Sequence, residues 1–180
     1  MPPPGRLRRV VVTGLGCVTP LGCGADLLFS RLMAGHTGVA PVVDPAITKL
    51  DLAPRVAAWI RAGSDEQAGQ FDVAKWVPRS VLSQTSPFIH FAMGAASMAL
   101  QDARYDLTPA NLPPGRDAET ASDRTGVCMG SGIGCVEESA EAGRALANKG
   151  KKGLSAYSIP KLLVNLAAGQ ISQCAVFLLI

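Results

Sequence analysis

Five cysteines, at positions 17, 23, 128, 135 and 174, and two histidines, His36 and His90, carry the broadest chemical repertoire in this 180-residue chain. No two cysteines form a C-x-x-C pair, and two histidines add too few ligands to complete a zinc pattern, so no metal site is expected. A nucleophilic thiolate needs a helix N-terminus or a cation to lower its pKa, and usually a histidine to manage protons. Cys128 falls inside an apolar run and Cys17 in the first turn after one, so both read as small buried hydrophobes. Cys135 stands at a helix start and is the best placed of the five, yet no histidine or base lies near it in sequence, and packing is its expected role. His90 sits on a helix with no acid or nucleophile beside it and is expected to be structural. Glu137 and Glu138 are adjacent, so they diverge on a helix and make poor partners for acid–base work.

Two glycine clusters follow apolar runs, where backbone N–H groups before a helix could cradle a pyrophosphate. The first, Gly14-Leu15-Gly16-Cys17-Val18-Thr19, lacks a third glycine and meets Pro20 where the helix should begin. The second, Gly130-Ser131-Gly132-Ile133-Gly134-Cys135, places Cys135 where that glycine would fall. Neither completes G-x-G-x-x-G, and no Gly-Lys-Ser/Thr occurs, so no nucleotide cofactor is expected.

The elements that must hold these residues alternate. "RRVVVTGLG" predicts a buried strand running into a tight turn, and Pro20 and Gly22 predict irregular chain after it. "ADLLFSRLM", Ala25 to Met33, predicts a short helix stopped by "AGHTG". Between 37 and 85 four prolines interrupt weak strand signals, "RAGSDEQAGQFD" reads as a polar loop, and no detailed assignment follows. Ser86 is a good N-cap and Pro87 suits the first helical position. Ile89, Met93, Ala96 and Leu100 then recur at helical spacing, with Ala92, Ala95 and Ala99 small enough for close packing, and His90 and Phe91 off the stripe. "LTPANLPPGRDAETASD" is a loop by composition, and "RTGVCMGSGIG" predicts a second strand ending in glycines. "VEESAEAGRALANKG" predicts a helix with Glu137 and Glu138 in its first turn and Lys149 near its end, as the helix dipole favours. "SIPKLLVNLAAGQIS" predicts one further helix. Alternating strands and helices point to an α/β fold.

Composition narrows the function classes. An apolar fraction of 48% with 17% charged residues fits a buried core and excludes whole-chain disorder. The net charge of +3 is small and scattered, apart from Arg6, Arg8 and Arg9 and Lys149, Lys151 and Lys152, so a nucleic-acid partner has little support. The most apolar stretch, Cys174 to Ile180, is too short to span a membrane. The basic start, "MPPPGRLRRV", lacks the apolar core of a secretory signal and reads either as the stump of an organelle transit peptide or as a solvated basic segment.

Taken in order and spacing, "RRVVVTGLGCVTPLGCGAD", "GVCMGSGIG" and "IPKLLVNLAAGQIS" resemble the N-terminal half of the β-ketoacyl-acyl-carrier-protein synthases. The "GSDEQAGQFD" loop and the style of the last helix are most similar to the mitochondrial members, which implies a mitochondrial location, with a cytoplasmic one as the alternative. The resemblance implies a thiolase-like α/β fold, a mixed sheet between helices, of which this chain is the N-terminal half of a duplicated unit. It implies condensation of a carrier-bound acyl chain with malonyl-acyl-carrier protein, with loss of carbon dioxide and no cofactor, by a homodimer. A cysteine at a helix N-terminus takes the acyl group there as a thioester, and two histidines assist decarboxylation.

The same resemblance assigns roles residue by residue. Ile133, flanked by Gly132 and Gly134, matches the position that lines and gates the acyl pocket. Ser155 to Pro160, with Ser155, Tyr157, Ser158, Ile159 and Pro160, matches a segment along the dimer interface near the partner's pocket. No residue matches the catalytic cysteine or either catalytic histidine: Cys174 comes too early, and neither His36 nor His90 fits. The expected organisation is a basic start over 1–7, the synthase domain over 8–172 and a divergent apolar tail over 173–180, with the chain ending before its nucleophile and inactive alone. A non-catalytic partner of a full-length synthase, using the helix from Ile159 to Ser172, is the alternative. An exposed inner face and the tail "CAVFLLI" predict poor solubility.

Overall fold

Ser86 and Pro87 do open the helix that runs from Pro87 to Asp102. The computed structural model describes residues 9–50, 55–105 and 123–177. In chain order, strands β1 (Val18–Thr19) and β2 (Gly22–Cys23) precede helix α1 (Ala25–Met33). Strand β3 (Val39–Pro41), helix α2 (Pro45–Thr48), strand β4 (Val56–Ala58) and helices α3 (Val73–Trp76) and α4 (Arg79–Leu82) fill the stretch left unassigned from sequence. The remaining helices follow: α5 (Pro87–Asp102), α6 (Val136–Lys149) leading into a 3-10 turn (Gly150–Gly153), the short α7 (Ser158–Leu162) and α8 (Leu166–Phe177).

The core lies between α5 and α8. Val77, Ile89, Met93, Ala167 and Ile171 are buried together, with Trp76, Leu82, Phe88, Met129, Leu166 and Cys174 packed around them. Ile89 and Met93 are one turn apart on the predicted apolar stripe. Removing the Ile89 side chain from water contributes about 1.5–3 kcal/mol. Phe91, off that stripe as expected, meets Phe71 edge-on with ring centroids 5.2 Å apart. Gly94 makes room for Phe71, since a Cβ there would stand 2.5 Å from its ring.

The alanines of α5 serve the other side. Gly14 and Gly16 lie against its backbone so closely that a Cβ would come within 2.1 Å of the Ala99 carbonyl oxygen and 2.0 Å of the Ala95 carbonyl oxygen, respectively. Leu15 N donates to Asp102 Oδ2 at 2.8 Å, fixing this segment along the helix. The expected close packing of α5 is therefore met by glycines.

Helix α1 has the predicted bounds and ends in a Schellman turn: Gly35, at φ 75°, donates to Leu32 O and His36 N to Arg31 O, at 3.0 and 2.9 Å. Helix α6 begins at Val136 with Glu137 and Glu138 in its first turn and has Lys149 in its last, as the dipole argument requires.

Three expectations fail. No strand forms in "RRVVVTGLG" from residue 9 onward; instead Val18–Thr19 pairs antiparallel with Gly22–Cys23 across Pro20 and Leu21. Residues 124–130 form no strand either, and Cys128, expected to be buried, is exposed. Both runs have strand-like composition, but a strand also needs neighbours to take up its N–H and C=O groups, and among the described residues the ladders are β1 with β2 and β3 with β4, plus one isolated bridge. The last predicted helix is two, because Leu163 takes extended dihedrals (φ −71°, ψ 119°) between α7 and α8. Helix α8 then continues past Ser172 to Phe177.

Candidate functional site

The glycine loop singled out from sequence lies against Leu162, just beyond the Ser155–Pro160 segment. Gly134 has φ 80°, a left-handed conformation that favours glycine, and a Cβ there would stand 2.5 Å from the Leu162 carbonyl oxygen. The loop therefore sits on the end of α7, immediately after the Ser155–Pro160 segment. Nothing crowds Gly132, and Ile133 projects from the loop 82% exposed. Cys135 follows as the N-cap of α6, half-buried, without a side-chain capping bond.

Helix α7 is tied down from two sides. Lys161 Nζ reaches Glu138 Oε1 of α6 at 2.9 Å, with the two side chains 21% and 24% exposed. Glu137, its neighbour, faces solvent, so the two acids diverge as expected. Ser86, fully buried, donates from Oγ to the Lys161 carbonyl at 2.7 Å. Its hydroxyl makes no capping bond to α5, contrary to the local reading of the sequence. The side of α7 away from these ties is apolar and open: Ile159 is 64% exposed, and Tyr157, Leu163 and Val164 are exposed beside it. Ser155 and Ser158 hold the turn into the helix, with Ser158 N donating to Ser155 O at 3.0 Å and Tyr157 N to Ser155 Oγ at 3.1 Å. Pro160 lies inside α7, half-buried.

His90 belongs to the same junction. Its Nε2 lies 2.9 Å from Thr85 Oγ1, and that hydroxyl spends its own hydrogen on the Val81 carbonyl at 2.7 Å. Nε2 is therefore the donor, an assignment that follows from the bonding network. Burial lowers the His90 pKa and the Lys161 charge lowers it further, which favours neutral imidazole. Burial pushes the Cys17, Cys23 and Cys174 thiols up, away from the thiolate form a nucleophile needs. No group of three or more metal-ligating side chains occurs among the described residues.

Sequence reasoning missed the polar ties. Ser86 and Lys161 are 75 residues apart and Glu138 and Lys161 are 23 apart, separations at which no local pattern predicts contact.

Residues 7–177 match the family model for the β-ketoacyl synthase N-terminal domain. The chain belongs to the β-ketoacyl synthase family. It is 40% identical to 3-oxoacyl-[acyl-carrier-protein] synthase 2 of Rhizobium meliloti, an alignment covering 92% of this chain and 37% of the relative. It is 38% identical to the mitochondrial 3-oxoacyl-[acyl-carrier-protein] synthase of Arabidopsis thaliana, over 92% of this chain and 36% of the relative. Another mitochondrial relative, a putative synthase of Schizosaccharomyces pombe, is 32% identical, and bacterial relatives stand beside these two. The chain thus spans little more than a third of the length of the relatives it matches. Among solved structures, a β-ketoacyl synthase from Burkholderia phymatum superposes with a TM-score of 0.68 at 27% identity, over 93% of this chain and 36% of that one. A type II PKS ketosynthase in complex with its acyl-carrier protein gives 0.64 at 23% identity, over 93% and 38%, a likeness of fold. The α/β, ketosynthase-like fold expected from sequence stands on these superpositions.

Proposed function

We propose that this chain is the N-terminal part of a 3-oxoacyl-[acyl-carrier-protein] synthase of fatty-acid biosynthesis. In this reading it supplies a wall of the acyl pocket and an interface segment, while the nucleophilic cysteine and the two histidines lie outside these 180 residues. The observation that supports the reading is the close approach of the Ile133 loop to the end of α7: Gly134 stands against the Leu162 carbonyl, just beyond the Ser155–Pro160 segment that family likeness assigns to the interface. An exposed aliphatic side chain next to the uncrowded Gly132 can line or gate an acyl chain, while Gly134 anchors the far side of the loop. The open apolar side of α7, with Ile159 and Leu163, suits burial against a second copy in a homodimer. The partners would be acyl- and malonyl-carrier-protein thioesters, with no cofactor. The two mitochondrial relatives support a mitochondrial location, which a fluorescent fusion expressed in eukaryotic cells would check.

The test is a chimera that joins residues 1–172 to the remaining part of the Rhizobium meliloti relative, assayed for decarboxylative condensation beside the 180-residue chain alone. Condensation by the chimera and none by the chain alone are expected. Ile133→Phe in the chimera should shorten the acyl chains it accepts. Condensation by the chain alone would overturn the placement of the catalytic residues, and an unchanged chain-length profile in I133F would overturn the role of Ile133.

A further inference from the structure

A second site lies away from the α7 junction, at the C-terminal end of α1. Pro20, Leu21, Arg31, His36, Thr37 and Arg61 line a cavity of about 150 Å³, open to solvent. At roughly 30 Å³ per water, that is room for a small polyatomic anion with part of its hydration.

The polar groups in its wall are biased toward donors. Arg31 is half-buried, and its guanidinium is held by three backbone carbonyls: Leu21 O, Gln67 O at 3.3 Å and Ala68 O at 3.2 Å. Gly22 and Gly69 make room for it, since a Cβ on Gly22 would stand 3.1 Å and one on Gly69 2.7 Å from Nη1. These carbonyls fix the cation without neutralising it, for none carries a formal charge. Among the described residues no carboxylate lines the cavity. The nearest acids in sequence to Gln67 and Ala68 are engaged elsewhere, Asp65 by Ala68 N at 2.9 Å and Glu66 by Lys75 at 2.5 Å.

Arg61 supplies a second cation. Its backbone is anchored, because Phe71 N donates to Arg61 O at 2.7 Å and Phe71 is buried, while its exposed guanidinium has no partner among the described residues. The Schellman turn after α1 brings His36 to the rim. Thr37 Oγ1 accepts from Val39 N at 3.1 Å, which leaves its hydroxyl hydrogen free to donate. Two guanidinium groups, an imidazole and a hydroxyl around one cavity form a set that recognises an oxyanion by charge-assisted hydrogen bonds.

We propose that this cavity binds a phosphate group, free or as a phosphomonoester, with Arg61 as its principal ligand and Arg31 as a fixed positive wall. The proposal is independent of the condensing chemistry and stands or falls without it.

The experiment titrates the 180-residue chain with inorganic phosphate and, separately, with phenyl phosphate, at constant ionic strength set by chloride, following heat of binding and thermal unfolding. Saturable binding is expected, weakened about tenfold by Arg61→Gln, the loss of one charge-assisted interaction, and unchanged by Lys149→Gln, a remote exposed cation. A tighter response to phenyl phosphate assigns the site to esters, and an equal one to the free ion. Because Arg61 is exposed, R61Q should fold, and Thr37→Val offers a second, uncharged removal of a donor. No saturable binding, or equal loss in R61Q and K149Q, would overturn the proposal.

Discussion

Ser86 offers the sharpest test of the fold, because local and tertiary readings of it diverge. As an N-cap, its replacement by Ala would cost about 1 kcal/mol and fray the start of α5, and Asp would serve equally well there. In the structure the fully buried hydroxyl instead donates to the Lys161 carbonyl, 2.7 Å away on α7. Ser86→Ala then leaves that carbonyl without its partner, at about 1–3 kcal/mol. Ser86→Asp should be worse, since a carboxylate cannot donate to a carbonyl and is itself buried. Urea unfolding gives the stability order, expected as wild type, then S86A, then S86D. Hydrogen exchange gives the location, expected as faster exchange in α7 and the start of α8 with little change in the first turn of α5. S86D as stable as the wild type, or S86A opening α5 first, would refute the tertiary role.

Gly16→Ala should destabilise by about 1–3 kcal/mol, because the new Cβ meets the Ala95 carbonyl oxygen and the Ala99 nitrogen, backbone atoms that cannot rotate away; an unchanged urea midpoint would count against the glycine contact with α5. Stability should also fall as pH drops below about 6.5, since the folded state holds the His90 pKa under its ordinary value, so the unfolded chain takes up the proton first. The contribution is present above that pH and lost as pH falls through the folded value; His90→Gln should flatten the dependence below about pH 6.5, and an identical pH profile for H90Q would remove the effect.

Legibility in the sequence followed the range of the interactions. Helices α1, α5 and α6 were readable with close to their observed bounds because periodicity, terminal glycines, Pro87 and the acidic first turn all act within a few residues. The small-residue stripe on α5 announced close packing, although only the structure named Gly14 and Gly16 as what fills it. The strand composition of Val10–Val12 and of Val127–Met129 was equally plain, yet a strand is a property of two segments, and among the described residues these find no ladder partner.

Family membership was carried by motifs, so the sequence by itself determined it, and the roles proposed for Ile133 and the Ser155–Pro160 segment rest on the same motifs. What those residues face was decided by tertiary structure alone. Ser86 turned from a cap into a tie to Lys161, and Glu138 from a surface acid into the partner of a lysine 23 residues away. Arg31 and Arg61, unremarked in sequence, came together around one cavity. Each is a contact between segments distant along the chain, and its geometry depends on how whole helices pack, which no local preference encodes.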